Sequence, residues 1–170
     1  MEMVDIVTPN NQVTGQQITK LEAHQTGALH RCVVAEVIDS QGNWTLVQQA
    51  ADRQDAGQFV SPVGGHVSAG EDEETALKRE TFEEMGLTDF TYKRIGQDIF
   101  NREVIGRKEN HLFVLFEVYT DQLPTLNHES VAFQKFSLPE LRQLLQTNPN
   151  QFGDAFWFLA HGIYRKVLLG

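Results

Sequence analysis

The side chains best suited to chemistry are concentrated in one short run, 65-GHVSAGEDEETALKRETFEEMGL-87, where Glu80, Glu83 and Glu84 stand three and four positions apart. On a helix this spacing brings three carboxylates into one turn, and each like-charged pair costs about 0.2–0.5 kcal/mol. Converging carboxylates suit a hard dication such as Mg²⁺, which takes oxygen ligands and keeps several waters, and a bound cation would remove the repulsion. At the helical period Leu77, Thr81 and Met85 line one stripe, while Ala76, Arg79, Glu80, Glu83 and Glu84 fall on the other side. Gly64, Gly65 and Gly70 let the backbone bend tightly before the helix, so a glycine carbonyl could join the ligands. The competing reading of any glutamate-rich helix is a solvated face.

Such a helix needs a scaffold to aim it. The chain begins with a small hairpin turning at Pro9-Asn10-Asn11, followed by a polar link up to His30. His30 to Val37 is a β-branched strand, 44-WTLVQQ-49 its hairpin partner and 50-AADRQDAGQ-58 a loop. Phe59 to Val63 is a short strand running into the glycines, Phe90 to Phe100 another strand, and 111-HLFVLFEVY-119 a strand apolar enough to be buried on both faces. Two helices close the chain, one after Ser137-Leu138-Pro139 and one within 151–169. This is one α/β domain: 1–28 the hairpin and approach segment, 29–136 the core, 137–170 the closing helices.

Composition narrows the function. With 14 basic and 23 acidic residues the net charge is −9, which excludes a sequence-independent grip on nucleic acid. Any anionic substrate must be met by metal or by a local basic cluster. Cys32 is the single cysteine, set in the apolar run 32-CVVAEVI-38, so no disulfide is expected. No signal-peptide pattern opens the sequence, and no run approaches the ~18 apolar residues of a membrane span, so a cytoplasmic protein is expected.

From Gly65 the run reads glycine, five residues, Glu71, seven residues, then Arg79-Glu80-Thr81-Phe82-Glu83-Glu84-Met85-Gly86-Leu87. It resembles the Nudix box, GX5EX7REUXEEXGU with U aliphatic, and departs from it only at Thr81. The resemblance implies an α/β/α sandwich around a mixed sheet, with the box helix on one side and the C-terminal helices on the other. It implies hydrolysis of a diphosphate linked to another moiety, with Mg²⁺ or Mn²⁺ held by Gly65, Glu80, Glu83 and Glu84. Arg79 would orient these carboxylates and Glu71 would support Arg79. One further acid often comes from a loop beyond the helix; Glu129 is the candidate, with a surface glutamate as the alternative.

Beyond the box the chain resembles the branch containing isopentenyl diphosphate isomerase. That branch carries histidines in an approach segment, at the first core strand and after the box glycine, here His24, His30 and His66. Its E-N-E stretch corresponds to 109-ENH-111, giving Glu109 and His111. Together these five form a candidate second metal site suited to Zn²⁺ or Mn²⁺, against the alternative of hydrogen-bonded core histidines. Two departures argue against isomerisation, which needs two positioned acid/base groups: Gly64 stands where the isomerase has a cysteine, and His111 where it has a glutamate. Diphosphate contacts are expected from Arg53, Lys20 and Arg31. Arg102, Arg107 and Lys108, within 101-NREVIGRKEN-110, read more readily as a solvated hairpin than as a substrate loop. The expected partner is a small diphosphate, not nucleic acid or membrane, and the protein a monomer or homodimer. A metabolite-binding module without turnover is the alternative function, and an isomerase the weaker third.

Overall fold

The computed structural model describes residues 1–170. The N-terminal hairpin pairs β1 (Met3–Val7) with β2 (Val13–Thr19). The expected polar link is in fact a helix, α1 (Lys20–Thr26). Thr19 caps it by accepting the Glu22 N–H, and Gly27 ends it in the left-handed region at φ 78°. Only Ala23 and His24 of α1 are buried, so the segment shows no apolar stripe that periodicity could detect.

The organising strand is β3 (His30–Ile38). Along its whole length β8 (Arg107–Tyr119) pairs with it in parallel, His30 opposite His111 and Ile38 opposite Tyr119. Three antiparallel strands share its other edge in succession. β1 meets it at His30, β6 (Val63–His66) at Cys32–Ala35, and β4 (Trp44–Gln49) at Val37–Ile38. β7 (Thr91–Val104) extends the sheet beyond β8, while β5 (Phe59–Val60) and β9 (Ser130–Phe136) flank β4. The strand expected over Phe59–Val63 is thus two short strands separated by Ser61-Pro62, where proline cannot donate to a ladder.

Two cores sandwich the sheet. On one face Val33, Ala35, Val63 and Val114 pack against Leu77 and Met85 of α2 (Glu73–Met85). On the other, Val34, Leu46 and Phe113 pack against α3 (Leu138–Thr147) and α4 (Asp154–His161) through Leu141 and Phe156. β8 serves both, with Val114 and Phe116 in the first core and Phe113 and Leu115 in the second, which is why its sequence is almost wholly apolar. Each fully buried side chain of this size contributes about 1.5–3 kcal/mol. The result is an α/β/α sandwich with α2 on one side and the closing helices on the other.

Candidate active site and histidine cluster

β6 pairs only with β3, so its other edge is free, and the carboxylates of α2 reach over it. Asp72 caps α2 by accepting the Thr75 N–H at 2.8 Å, and Gly86 closes it at φ 61°. Leu77, Thr81 and Met85 face the core as expected; Ala76, expected on the carboxylate side, is also fully buried there. The Thr81 hydroxyl, in place of an aliphatic residue, is buried without a hydrogen-bond partner.

Arg79 holds the carboxylate face together. It donates to both oxygens of Glu71 at 2.9 and 2.8 Å, to the His66 carbonyl at 2.9 Å and to Glu80 at 2.5 Å, with Glu83 at 3.6 Å. The Arg79 hydrogen bonds keep the Glu71 carboxyl below its usual range. Glu80 lies directly over Gly65, where a Cβ would overlap its carboxylate and push it aside, so glycine lets the carboxylate take this position. Glu84 accepts the Gly64 N–H at 2.8 Å. Burial pushes the Glu84 carboxyl well up, with Glu80 and Glu129 adding to the shift; burial likewise raises Glu80. Glu129 itself pairs with Arg53 at 3.0 Å, and Arg53 also meets His128 at 3.1 Å. Crowded, partly desolvated carboxylates that resist ionising together fit a dication, which would stabilise their charged forms.

The second cluster follows from strand register. His30 and His111 are paired across β3 and β8, His66 lies opposite Cys32, and His24 comes from α1 just before β3. One nitrogen from each of these four imidazoles lies within 4.8 Å of every other. His24 Nε2 is 3.2 Å from both His66 Nε2 and His111 Nε2. An imidazole nitrogen offers one lone pair or one proton, so at most one of these contacts can be a hydrogen bond. His30 donates from Nδ1 to the Ala28 carbonyl at 2.8 Å, which leaves Nε2 a bare lone pair, buried and unpartnered. Burial lowers all four, His24 to about 4 and His111 to about 2, so they are neutral donors at neutral pH. This donor set fits a dication of the Zn²⁺ or Mn²⁺ kind, with the His30 tautomer fixed by its backbone bond.

Both clusters open onto one cavity of about 550 Å³, floored by Cys32, Val34, Phe100 and Phe113. Lys20 lines it, paired with Glu2 at 3.1 Å, and Arg53 lines it from the loop after β4. Two expected positions differ. Arg31 lies away from the cavity, within 3.8 Å of Asp5 and 3.9 Å of Glu73, because neighbours on a strand point to opposite faces and His30 takes the cavity side. Glu109 faces the cavity but does not converge with the histidines. Arg102 holds it at 2.8 Å, with Arg107 at 3.7 Å. Arg102 and Arg107, read from the sequence more readily as a solvated hairpin than as a substrate loop, are cavity residues. Arg102 also pairs with both oxygens of Asp55 at 2.8 and 3.1 Å, and Arg107 lies against the His24 ring at 3.1 and 3.2 Å. Their place on the cavity face of the β7–β8 hairpin was available from strand alternation.

The NUDIX domain model matches residues 28–156. The chain belongs to the Nudix family. It is 30% identical over 164 residues to an isopentenyl-diphosphate Delta-isomerase of Pectobacterium atrosepticum, covering 91% of this chain and 86% of that one. An uncharacterised Nudix hydrolase of Streptomyces coelicolor is 33% identical over 148 residues, covering 82% and 75%. Among solved structures, a Deinococcus radiodurans protein shares the fold at TM-score 0.75 and 21% identity, covering 96% of this chain and 98% of that one. A MutT protein of Methanosarcina mazei does so at 0.65 and 21%, covering 81% and 94%. This Nudix chain therefore sits on the isomerase-like branch of its family. No helix in it is long and apolar enough to cross a membrane.

Proposed function

We propose that this Nudix protein hydrolyses a diphosphate linked to another moiety, at the Glu80–Glu83–Glu84 end of the cavity. The observation that carries the reading is the arrangement of Arg79, which uses one guanidinium to fix Glu71, Glu80 and the His66 carbonyl and so aims a crowded carboxylate face at the free edge of β6. Glu80, Glu83, Glu84 and the Gly65 carbonyl would hold Mg²⁺ or Mn²⁺. When bound, such a cation neutralises phosphate charge and lowers the pKa of water. Glu84 is held by the Gly64 N–H and Glu129 is steered by Arg53, so each is a candidate to take the proton of the attacking water. Arg53 and Lys20, which line the cavity, are the candidate contacts for the diphosphate. His24, His30, His66 and His111 would hold a second cation of the Zn²⁺ or Mn²⁺ kind.

A binding module without turnover would have little reason to keep four carboxylates against one another. An isomerase would need proton-transfer groups at positions 64 and 111, which here are glycine and a histidine turned into the cluster. A phosphate-release screen of nucleoside diphosphate derivatives and prenyl diphosphates with Mg²⁺ and Mn²⁺ tests the reading. Turnover of at least one diphosphate is expected. Tight binding of such compounds with no turnover under either metal would favour the module instead.

A further inference from the structure

The two ends of the cavity differ in charge. At the α2 end, Glu80, Glu83, Glu84 and Glu129 outnumber Arg79 and Arg53, and a cation held there meets anionic ligands. At the other end every donor in the cluster is a neutral imidazole. The carboxylates nearby are already engaged, since Arg102 takes both oxygens of Asp55 and one of Glu109. The Arg107 guanidinium stands against His24, with Glu109 no closer than 3.7 Å, and its Nε is buried without a partner. A dication on four neutral ligands beside this guanidinium would leave a partly desolvated pair of cations facing one long ion pair, to a Glu109 carboxylate that Arg102 already holds, which is costly unless a further anion joins them.

We propose that the histidine end of the cavity, loaded with a d-block dication, is a receptor for an oxyanion, and that the substrate carries a second anionic group, carboxylate or phosphate, remote from the diphosphate to be cleaved. The inference rests on reading the histidine cluster as a metal site. Arg107 is the protein's own contact to that group. It follows directly on the hairpin turn, lines the cavity with its side chain about one-third exposed, and ends in a planar guanidinium that matches an oxyanion in two-point geometry. Metals that accept five or six ligands keep a position open beyond the four imidazoles, so the anion can bind the metal directly while Arg107 supports it from outside. The floor of Cys32, Val34, Phe100 and Phe113 would carry the apolar middle of such a substrate between its two charged ends.

The test uses the whole protein with one equivalent of Co²⁺, whose visible spectrum reports its ligands, in the presence of excess Mg²⁺ to fill the carboxylate end. Inorganic phosphate and acetate are the probes. The expected result is a saturable change in the Co²⁺ bands with at least one of them. Arg107→Gln should weaken that anion about tenfold or more while Co²⁺ affinity stays within about twofold. A Co²⁺ spectrum that is lost in His111→Ala but indifferent to both anions overturns the proposal and leaves the hydrolase reading intact. Failure of Co²⁺ to bind the wild type at all removes the metal reading on which the proposal rests. An anion response unchanged in Arg107→Gln overturns the role given to Arg107.

Discussion

Glu84 is a half-buried carboxyl and Glu36 a fully buried one, and they answer to different neighbours. Glu84 accepts the Gly64 N–H and faces Glu80 and Glu129 in the cavity, where a cation would offset the cost of its charge. Glu83→Gln or Glu84→Gln should therefore cut turnover about a hundredfold or more with the fold unchanged, the scale of losing a major electrostatic contact; steady-state rates and circular dichroism together check this. Glu36 lies wholly inside the second core. Its one partner is the Ser61 hydroxyl, which donates at 2.5 Å, and its other oxygen is unpartnered. Burial pushes this carboxyl from 4.5 up to about 8, the Ser61 bond opposing and Glu117 adding. Because the folded state holds the proton more tightly than the unfolded chain, the resulting stability is full below about pH 4.5 and is lost as pH rises towards about 8. Glu36→Gln should flatten that decline, and denaturation midpoints at pH 5 and pH 9 should converge in the variant. A wild type with equal midpoints would sink the assignment.

The β7–β8 hairpin carries two residues in the left-handed region at its tip, Ile105 at φ 51° and Gly106 at φ 70°. A two-residue turn with both residues left-handed favours Asn-Gly, and a β-branched side chain there is strained by about 1–3 kcal/mol. Ile105 is 70% exposed, so no packing offsets the strain. Ile105→Asn should raise stability by about 1 kcal/mol, read as a melting-temperature rise of ~2–4 °C; an unchanged or lower value refutes the strain assigned to this turn. The elements readable in the sequence were those with a strong period or composition: β3, β4, β8 and α2, whose core stripe of Leu77, Thr81 and Met85 agrees with the pattern. α1 escaped because seven residues with one buried pair leave no stripe, and its caps, Thr19 and Gly27, were the signal to use. Arg102 escaped because composition alone marks 101-NREVIGRKEN-110 as surface, whereas the long hairpin bends one of its faces over the cavity and leaves the Arg102 side chain only 13% exposed. The four histidines came from separate segments; the register of β3 with β6 and β8 brings three of them together, and α1 against β8 adds His24.

Across the whole molecule, one layer of the sandwich supplies carboxylates and the other face of the sheet supplies imidazoles, and the short strand β6 is where they meet. That division bears on whether the isomerase relatives share their activity with this chain. Moving a double bond needs an acid and a base at carbon, whereas attack of water at phosphorus needs a cation and a base at the other end of the substrate. Gly64 supplies no proton-transfer group, and His111 is held in the imidazole cluster, 3.2 Å from His24. A side chain at position 64 would meet nothing within 4 Å, so the cysteine of the isomerases is absent although there is room for it. Supplying isopentenyl diphosphate should thus give no dimethylallyl isomer under Mg²⁺, Mn²⁺ or Zn²⁺, while hydrolysis of some diphosphate continues. Gly64→Cys should fold normally, because the space is open, and should still yield no isomer, because position 111 offers no carboxylate to work with it. Mass-balanced NMR of the reaction mixture decides the matter. Isomer formed by the unmodified protein would reverse the functional reading, and isomer formed only by Gly64→Cys would mean that His111 can replace the missing glutamate.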